Sequence, residues 1–187
     1  EVFKPTKSDL RTKYQLKNKY IILGVLNGFQ KNKGSKYFIE LANNLPEDFK
    51  LIILGINKAS ERLFPENVLV LPRTNNTTEL AQFYTMADVF VNPTLQETQG
   101  LTNIEALACG TGVVTFNSGG CPESIDKNCG YVVERDDLSE LIKAIISACK
   151  TPFDSNYCIQ RAKLYDKSKL YNEYIKLYEF SMNGNNH

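Results

Sequence analysis

Glu97 and Glu105 are two carboxylates with seven residues between them, in Asn92-Pro-Thr-Leu-Gln-Glu-Thr-Gln-Gly-Leu-Thr-Asn-Ile-Glu-Ala-Leu-Ala-Cys-Gly110. The order is polar loop, Gly100, helix start, then a carboxylate one turn into the helix. Open N–H groups at such a start can receive phosphate. The carboxylates can accept hydrogen bonds from hydroxyl groups on either side of it. Together these parts suit a sugar nucleotide. With a step of about 100° per residue, a helix starting near Leu101 puts Leu101, Ile104 and Ala108 on one apolar face, with Glu105 at its edge. Glu105 is then either a partly buried acid that needs a partner, or only a charge complementing the positive helix end.

These residues need a scaffold, and the pattern supplies one. Apolar strands at 20–26, 50–54, 67–71, 88–92, 112–116 and 131–133 alternate with helical stretches at 36–45, 59–63, 78–87, from 101, and at 137–150. Residues 156–182 read as mostly helical. The alternation predicts a doubly wound α/β domain, a parallel sheet covered on both faces. Such sheets bind ligands at the carboxyl ends of their strands. The loops 27–34, 71–78, 93–100 and 117–123 should therefore converge on one edge. One domain is expected over 1–182, followed by a disordered tail or tag remnant at 183–187. The start, Glu1-Val-Phe-Lys-Pro5, reads like a cut within a longer protein.

Composition removes several function classes. The chain has 187 residues, 42% hydrophobic and 23% charged, with a net charge of +1. That balance gives no footing for nucleic-acid or acidic-membrane binding. No apolar run approaches the ~18 residues of a membrane span. Five cysteines without CxxC spacing, and a single histidine at position 187, argue for reduced thiols and against zinc. With no internal histidine, Ser-His-Asp and Cys-His catalysis are excluded within these residues. No Asp-x-Asp pair offers a divalent cation a seat, so no metal site is assigned.

The segment ADVFVNPT…E…GL…IEALACGTGVV…GGCPESI resembles the donor-binding, C-terminal domain of family 4 retaining glycosyltransferases of the GT-B fold. The similarity is densest over Asp88–Ile125 and extends through GVLNGFQKNKG, LIILG and KLYEF. The subset with NPT and EALACGT is similar to enzymes of capsular and exopolysaccharide assembly. The resemblance implies transfer of a sugar from a nucleotide diphosphate (UDP- or GDP-linked) to a saccharide or polyprenyl-linked acceptor, without a cofactor. It implies an acceptor domain outside this chain and a cytoplasmic location, peripheral at the inner membrane face. Lys33 matches the lysine that neutralises the diphosphate. Glu97 falls near the hydroxyls of the transferred sugar, and Glu105 on the ribose. Gly100, Leu101 and Thr102 offer amides, and Pro72–Arg73 reads the base. Gly119 and Gly120 either approach the donor or merely turn the chain. Tail helices of this family cross back to the other domain. The aromatic residues Tyr171, Tyr174, Tyr178 and Phe180 are accordingly expected to pack on the core or on that domain.

The chain also departs from the family pattern. Gly28 stands where an arginine phosphate clamp is common, with Lys31 and Arg73 as the cations that could replace it. Gln99-Gly100 and Thr102 replace a Gly-Phe-Gly loop, and Gly112 replaces a proline. Two rival classes follow: a GT-B-type nucleotide-sugar epimerase, and a scaffold that kept the fold but lost the chemistry.

Overall fold

A computed structural model describes residues 2–183. Six strands, β1 (Tyr20–Val25), β2 (Phe49–Leu54), β3 (Leu69–Leu71), β4 (Val89–Asn92), β5 (Val113–Phe116) and β6 (Gly130–Val133), form one sheet in the order β3-β2-β1-β4-β5-β6. Every strand pair is parallel. The helices are α1 (Leu10–Lys13), α2 (Ser35–Asn44), α3 (Lys58–Glu61), α4 (Thr77–Met86), α5 (Leu101–Ala108), α6 (Leu138–Lys150), α7 (Ser155–Ala162) and α8 (Lys167–Asn183). This is the expected doubly wound α/β domain, with element ends shifted by a residue or two. Of the expected tail, Asn183 closes α8, and 184–187 lie outside the described residues.

Strand side chains alternate between two buried layers. Ile22 joins Tyr37, Phe38 and Leu41 of α2 and Leu141 and Ile145 of α6. Ile21 and Leu23 join Phe83 and Tyr84 of α4, Ala106 and Leu107 of α5, and Cys158 of α7. Asp88 fastens the starts of β1 and β4, since one carboxylate oxygen accepts from Ile21 N at 2.6 Å and from Arg11 Nη2 at 2.7 Å.

One packing expectation needs correction, and one of two alternatives for α8 is removed. The buried face of α5 is Asn103, Ala106 and Leu107. Leu101 is 62% exposed, and Ile104 and Ala108 are only partly covered. The first turn lies at the sheet's open edge, where no neighbouring layer covers Leu101. The α8 aromatics do not pack on the core: Tyr171, Tyr174, Tyr178 and Phe180 are all exposed. The helix is set off by Asp166, whose carboxylate caps it by accepting from Ser168 N at 2.9 Å.

Strand order reverses direction between β1 and β4, so the connections leaving these neighbours run to opposite faces of the sheet. The crevice that opens there is the usual ligand position in such folds.

Candidate functional site

The loops that leave β1 and β4 carry Lys33 and Glu97, and three contacts bind them together. Leu95 N donates to Asn32 O at 2.8 Å. The buried Thr94 hydroxyl donates toward Asn32 O at 3.2 Å and Gln96 O at 3.0 Å. Gly34, at φ +76°, leaves its Cβ position to the Pro93 carbonyl, so any side chain there would push the loops apart. The outcome is an ion pair across the switch point: Lys33 Nζ lies 2.8 Å from Glu97 Oε2. Glu97 Oε1 accepts from Thr98 N at 3.0 Å.

Opposite this pair stands Glu105, and its partner is Tyr84 of α4, whose hydroxyl donates to Oε2 at 2.9 Å. Burial raises the Glu105 pKa, and the Tyr84 hydrogen bond partly offsets that rise. Burial also lifts the Tyr84 phenol well above its ordinary value, with the neighbouring carboxylate adding to the effect. The partly buried, partnered reading of Glu105 is the one realised. The helix-end reading fails because Glu105 lies beyond the first turn of α5, which holds no acid.

Most helices carry side-chain caps, whereas α1, like the two helices of the site, has none. Asn57, Asn76, Asp137 and Asp154 cap α3, α4, α6 and α7 with side-chain oxygens. The two helices that start at the switch point, α2 and α5, begin instead with left-handed Gly34 and Gly100, which carry no cap. The amides of Leu101 and Thr102 are therefore left without a side-chain acceptor. Asn103 holds this helix start in place. Its Oδ1 accepts from Asn92 Nδ2 at 2.9 Å, and its Nδ2 donates to Cys121 O at 3.4 Å.

A cleft of about 400 Å³ runs along this edge, with Lys33, Glu97, Thr102, Glu105, Arg73 and Asn27 among its walls. A second cavity of about 460 Å³ lies beyond the Lys33–Glu97 pair, lined also by Asn117, Ser118, Gly119 and Arg135. The four loops thus meet on one edge. Pro72, Gly28, Gly100, Leu101 and Gly120 fall outside the cleft lining, and Lys31 lines neither cavity. Gly28, at φ +80°, has open space where a Cβ would stand. Gly119 and Gly120 approach the backbone of Glu97 and Thr98 so closely that a Cβ on either would collide with a carbonyl. They buttress the Glu97 loop, and Gly119 also lines the second cavity.

Sequence reasoning missed Tyr84, Thr94, Asn103 and Arg135. Tyr84 reads as an ordinary apolar helix position, and no local pattern ties it to Glu105. All five cysteines are buried and unbridged. Burial pushes the Cys109, Cys149 and Cys158 thiols up to about 12, so none offers a thiolate near neutral pH. Among the described residues, no group of three or more His, Cys, Asp or Glu could hold a metal ion. No helix there is long and apolar enough to cross a membrane.

Comparison with known proteins converges on one family. The chain is 26% identical over 156 residues to the N,N'-diacetylbacillosaminyl-diphospho-undecaprenol alpha-1,3-N-acetylgalactosaminyltransferase of Campylobacter jejuni, matching 79% of this chain and 42% of that protein. It therefore spans less than half the length of that relative. Among solved structures, sucrose-phosphate synthase from Thermosynechococcus elongatus superposes with a TM-score of 0.81 at 22% identity, covering 98% of this chain and 50% of that one. Anabaena HepE, solved with UDP and glucose, gives 0.78 at 19% identity, covering 96% and 54%. These likenesses fix the fold as the Rossmann-like half of the GT-B architecture. The family of glycosyl transferases group 1 matches residues 6–165, and the chain belongs to it.

Proposed function

We propose that this chain is the donor-binding half of a family 4 glycosyltransferase that moves a sugar from a nucleotide diphosphate to a saccharide or lipid-linked acceptor with retention of configuration. The observation that carries the reading is the cleft itself. It brings a cation, Lys33, two carboxylates, Glu97 and Glu105, and Thr102 of an uncapped helix start to one wall. Its volume of about 400 Å³ is in the range of small-molecule sites.

In this arrangement Glu105 accepts from the ribose hydroxyls, with Tyr84 fixing its second oxygen. Lys33 and the amides of Leu101 and Thr102 face the diphosphate. Arg73 stands at the base end, and Glu97 positions a hydroxyl of the transferred sugar. The bond between the anomeric carbon and the phosphate oxygen breaks, and its electron pair leaves with the diphosphate. Lys33 and the helix dipole stabilise that charge without a metal. The acceptor oxygen bonds the same face of the sugar, and its proton passes to the departing phosphate oxygen. The acceptor is held by chain outside these residues. The isolated chain thus binds donor but turns over negligibly. The similarity to the Campylobacter transferase, which by its name acts on a diphospho-undecaprenol saccharide, supports a role in surface polysaccharide assembly at the cytoplasmic face of the membrane.

Calorimetric titration with UDP, GDP and ADP tests this reading. One nucleotide should bind, and Glu105→Ala should weaken it about tenfold, the scale of a charge-assisted hydrogen bond. Equal binding by both proteins would remove Glu105 from the donor site. Absence of binding by any nucleotide, to this chain and to the full-length protein, would favour the scaffold class.

A further inference from the structure

The second cavity shares the Lys33–Glu97 pair with the donor cleft but turns away from it, toward the loop after β5 and the turn after β6. Arg135 stands on that turn. Asp136, the next residue, has a left-handed backbone at φ +69°, a conformation that Asp adopts more readily than most residues. Its side chain is anchored from the core. The Tyr37 hydroxyl donates to Asp136 Oδ1. The Tyr37 ring is buried and packs edge-on against Phe116, at the end of β5, with centroids 4.9 Å apart. Lys36 adds a contact of 3.8 Å to the same carboxylate.

The charges around the cavity are already committed, apart from one group. Glu97 is held by Lys33 and Thr98 N. Asp136 is held by Tyr37 and Lys36, and Glu134 accepts from Asn117 Nδ2 at 3.3 Å. Among the described residues, Arg135 makes one ion pair, from Nε to Asp136 Oδ2 at 3.4 Å. Its two terminal amino groups have no acceptor there. A guanidinium fork on a turn whose next residue is anchored by the core, on the wall of a cavity that begins at the Lys33–Glu97 pair, matches the geometry of a carboxylate or phosphate.

We propose that the second cavity is an acidic-sugar subsite, in which Arg135 binds a carboxylate or phosphate carried by a saccharide unit next to the Lys33–Glu97 pair. The proposal rests on the donor cleft lying where the preceding section puts it. The saccharide is either the transferred sugar or the acceptor's terminal unit. Arg135 acts as a specificity residue, selecting acidic over neutral sugars.

Backbone amide NMR titration of this chain with glucuronate, glucose 6-phosphate and glucose is the test. The two acidic probes should shift the amides of Ser118, Gly119 and Arg135 and bind about tenfold more tightly than glucose. Arg135→Gln should abolish that preference, and Arg135→Lys should retain part of it. No preference in the unaltered chain, or a preference that survives Arg135→Gln, overturns the proposal. UDP and GDP titrated in parallel report the donor cleft independently, so a failure of nucleotide binding is distinguished from a failure of acid selection. UDP-glucuronate against UDP-glucose then separates the two sources. A tenfold preference there assigns the acid to the donor sugar, and equal binding alongside selection of free acid assigns it to the acceptor.

Discussion

Glu105 is kept in an environment that disfavours its charge. Its folded pKa lies above the ordinary value, with burial as the main cause. A carboxylate so shifted contributes stability in its protonated form, fully present below the unfolded pKa and lost as pH rises through the folded pKa. Tyr84 limits that loss by donating to the ionised oxygen. Tyr84→Phe should therefore destabilise the chain by about 1–2 kcal/mol at pH 7. Toward pH 4, where Glu105 takes up its proton, the penalty should shrink. Urea denaturation at both pH values measures it. A penalty unchanged by pH would mean that the hydroxyl matters for packing alone. The cost of holding an acid here makes sense if ribose hydroxyls supply its remaining hydrogen bonds.

Elements act through the loops that join them. Gly119 and Gly28 both adopt positive φ, at +52° and +80°, but only Gly119 is pressed against another backbone. Gly28→Ala should cost about 1 kcal/mol, the backbone strain alone. Gly119→Ala should cost on the order of 3 kcal/mol, because the Glu97 carbonyl must also move. It should also weaken binding of the nucleotide sugar relative to the free nucleotide, by displacing Glu97 from the transferred sugar. Paired denaturation curves decide the order, and equal costs would show that the Gly119 contact relaxes freely. The same logic explains why α2 and α5 begin with glycine. A side-chain cap would stabilise α5 by about 1 kcal/mol, yet it would occupy first-turn amides beside Thr102, which lines the cleft; at α2 the glycine is required by the Pro93 carbonyl instead.

At the scale of the whole molecule, α8 stands apart. Its Tyr171, Tyr174, Ile175, Leu177, Tyr178, Phe180 and Met182 are between 54% and 78% exposed. A helix that buries so little contributes little to the stability of the sheet domain. A chain ending at Asp166 should melt within about 4 °C of the full chain. A larger fall in calorimetry would mean that α8 is covered in solution. The sheet domain keeps its two layers without α8, since neither buried cluster draws a residue from it.

The sequence by itself determined the strand–helix alternation, the all-parallel sheet and the residue types at its open edge. Those features are local. Continuous apolar runs, the glycine before α5 and the Glu97–Glu105 spacing are written in neighbouring residues. Tertiary structure decided which residues meet. Tyr84 and Glu105 are 21 positions apart, and Lys33 and Glu97 are 64 apart. Helix packing on one face of the sheet brings the first pair together, and loop contacts through Thr94 and Gly34 bring the second; no periodicity encodes either. The buried face of α5 also turned out differently from its apolar pattern. Asn103 is buried because Asn92 and Cys121 satisfy its amide, whereas Leu101 lies exposed at the cleft edge. Hydrogen-bond partners supplied from distant elements outweighed side-chain hydrophobicity there, and only the folded chain contains them.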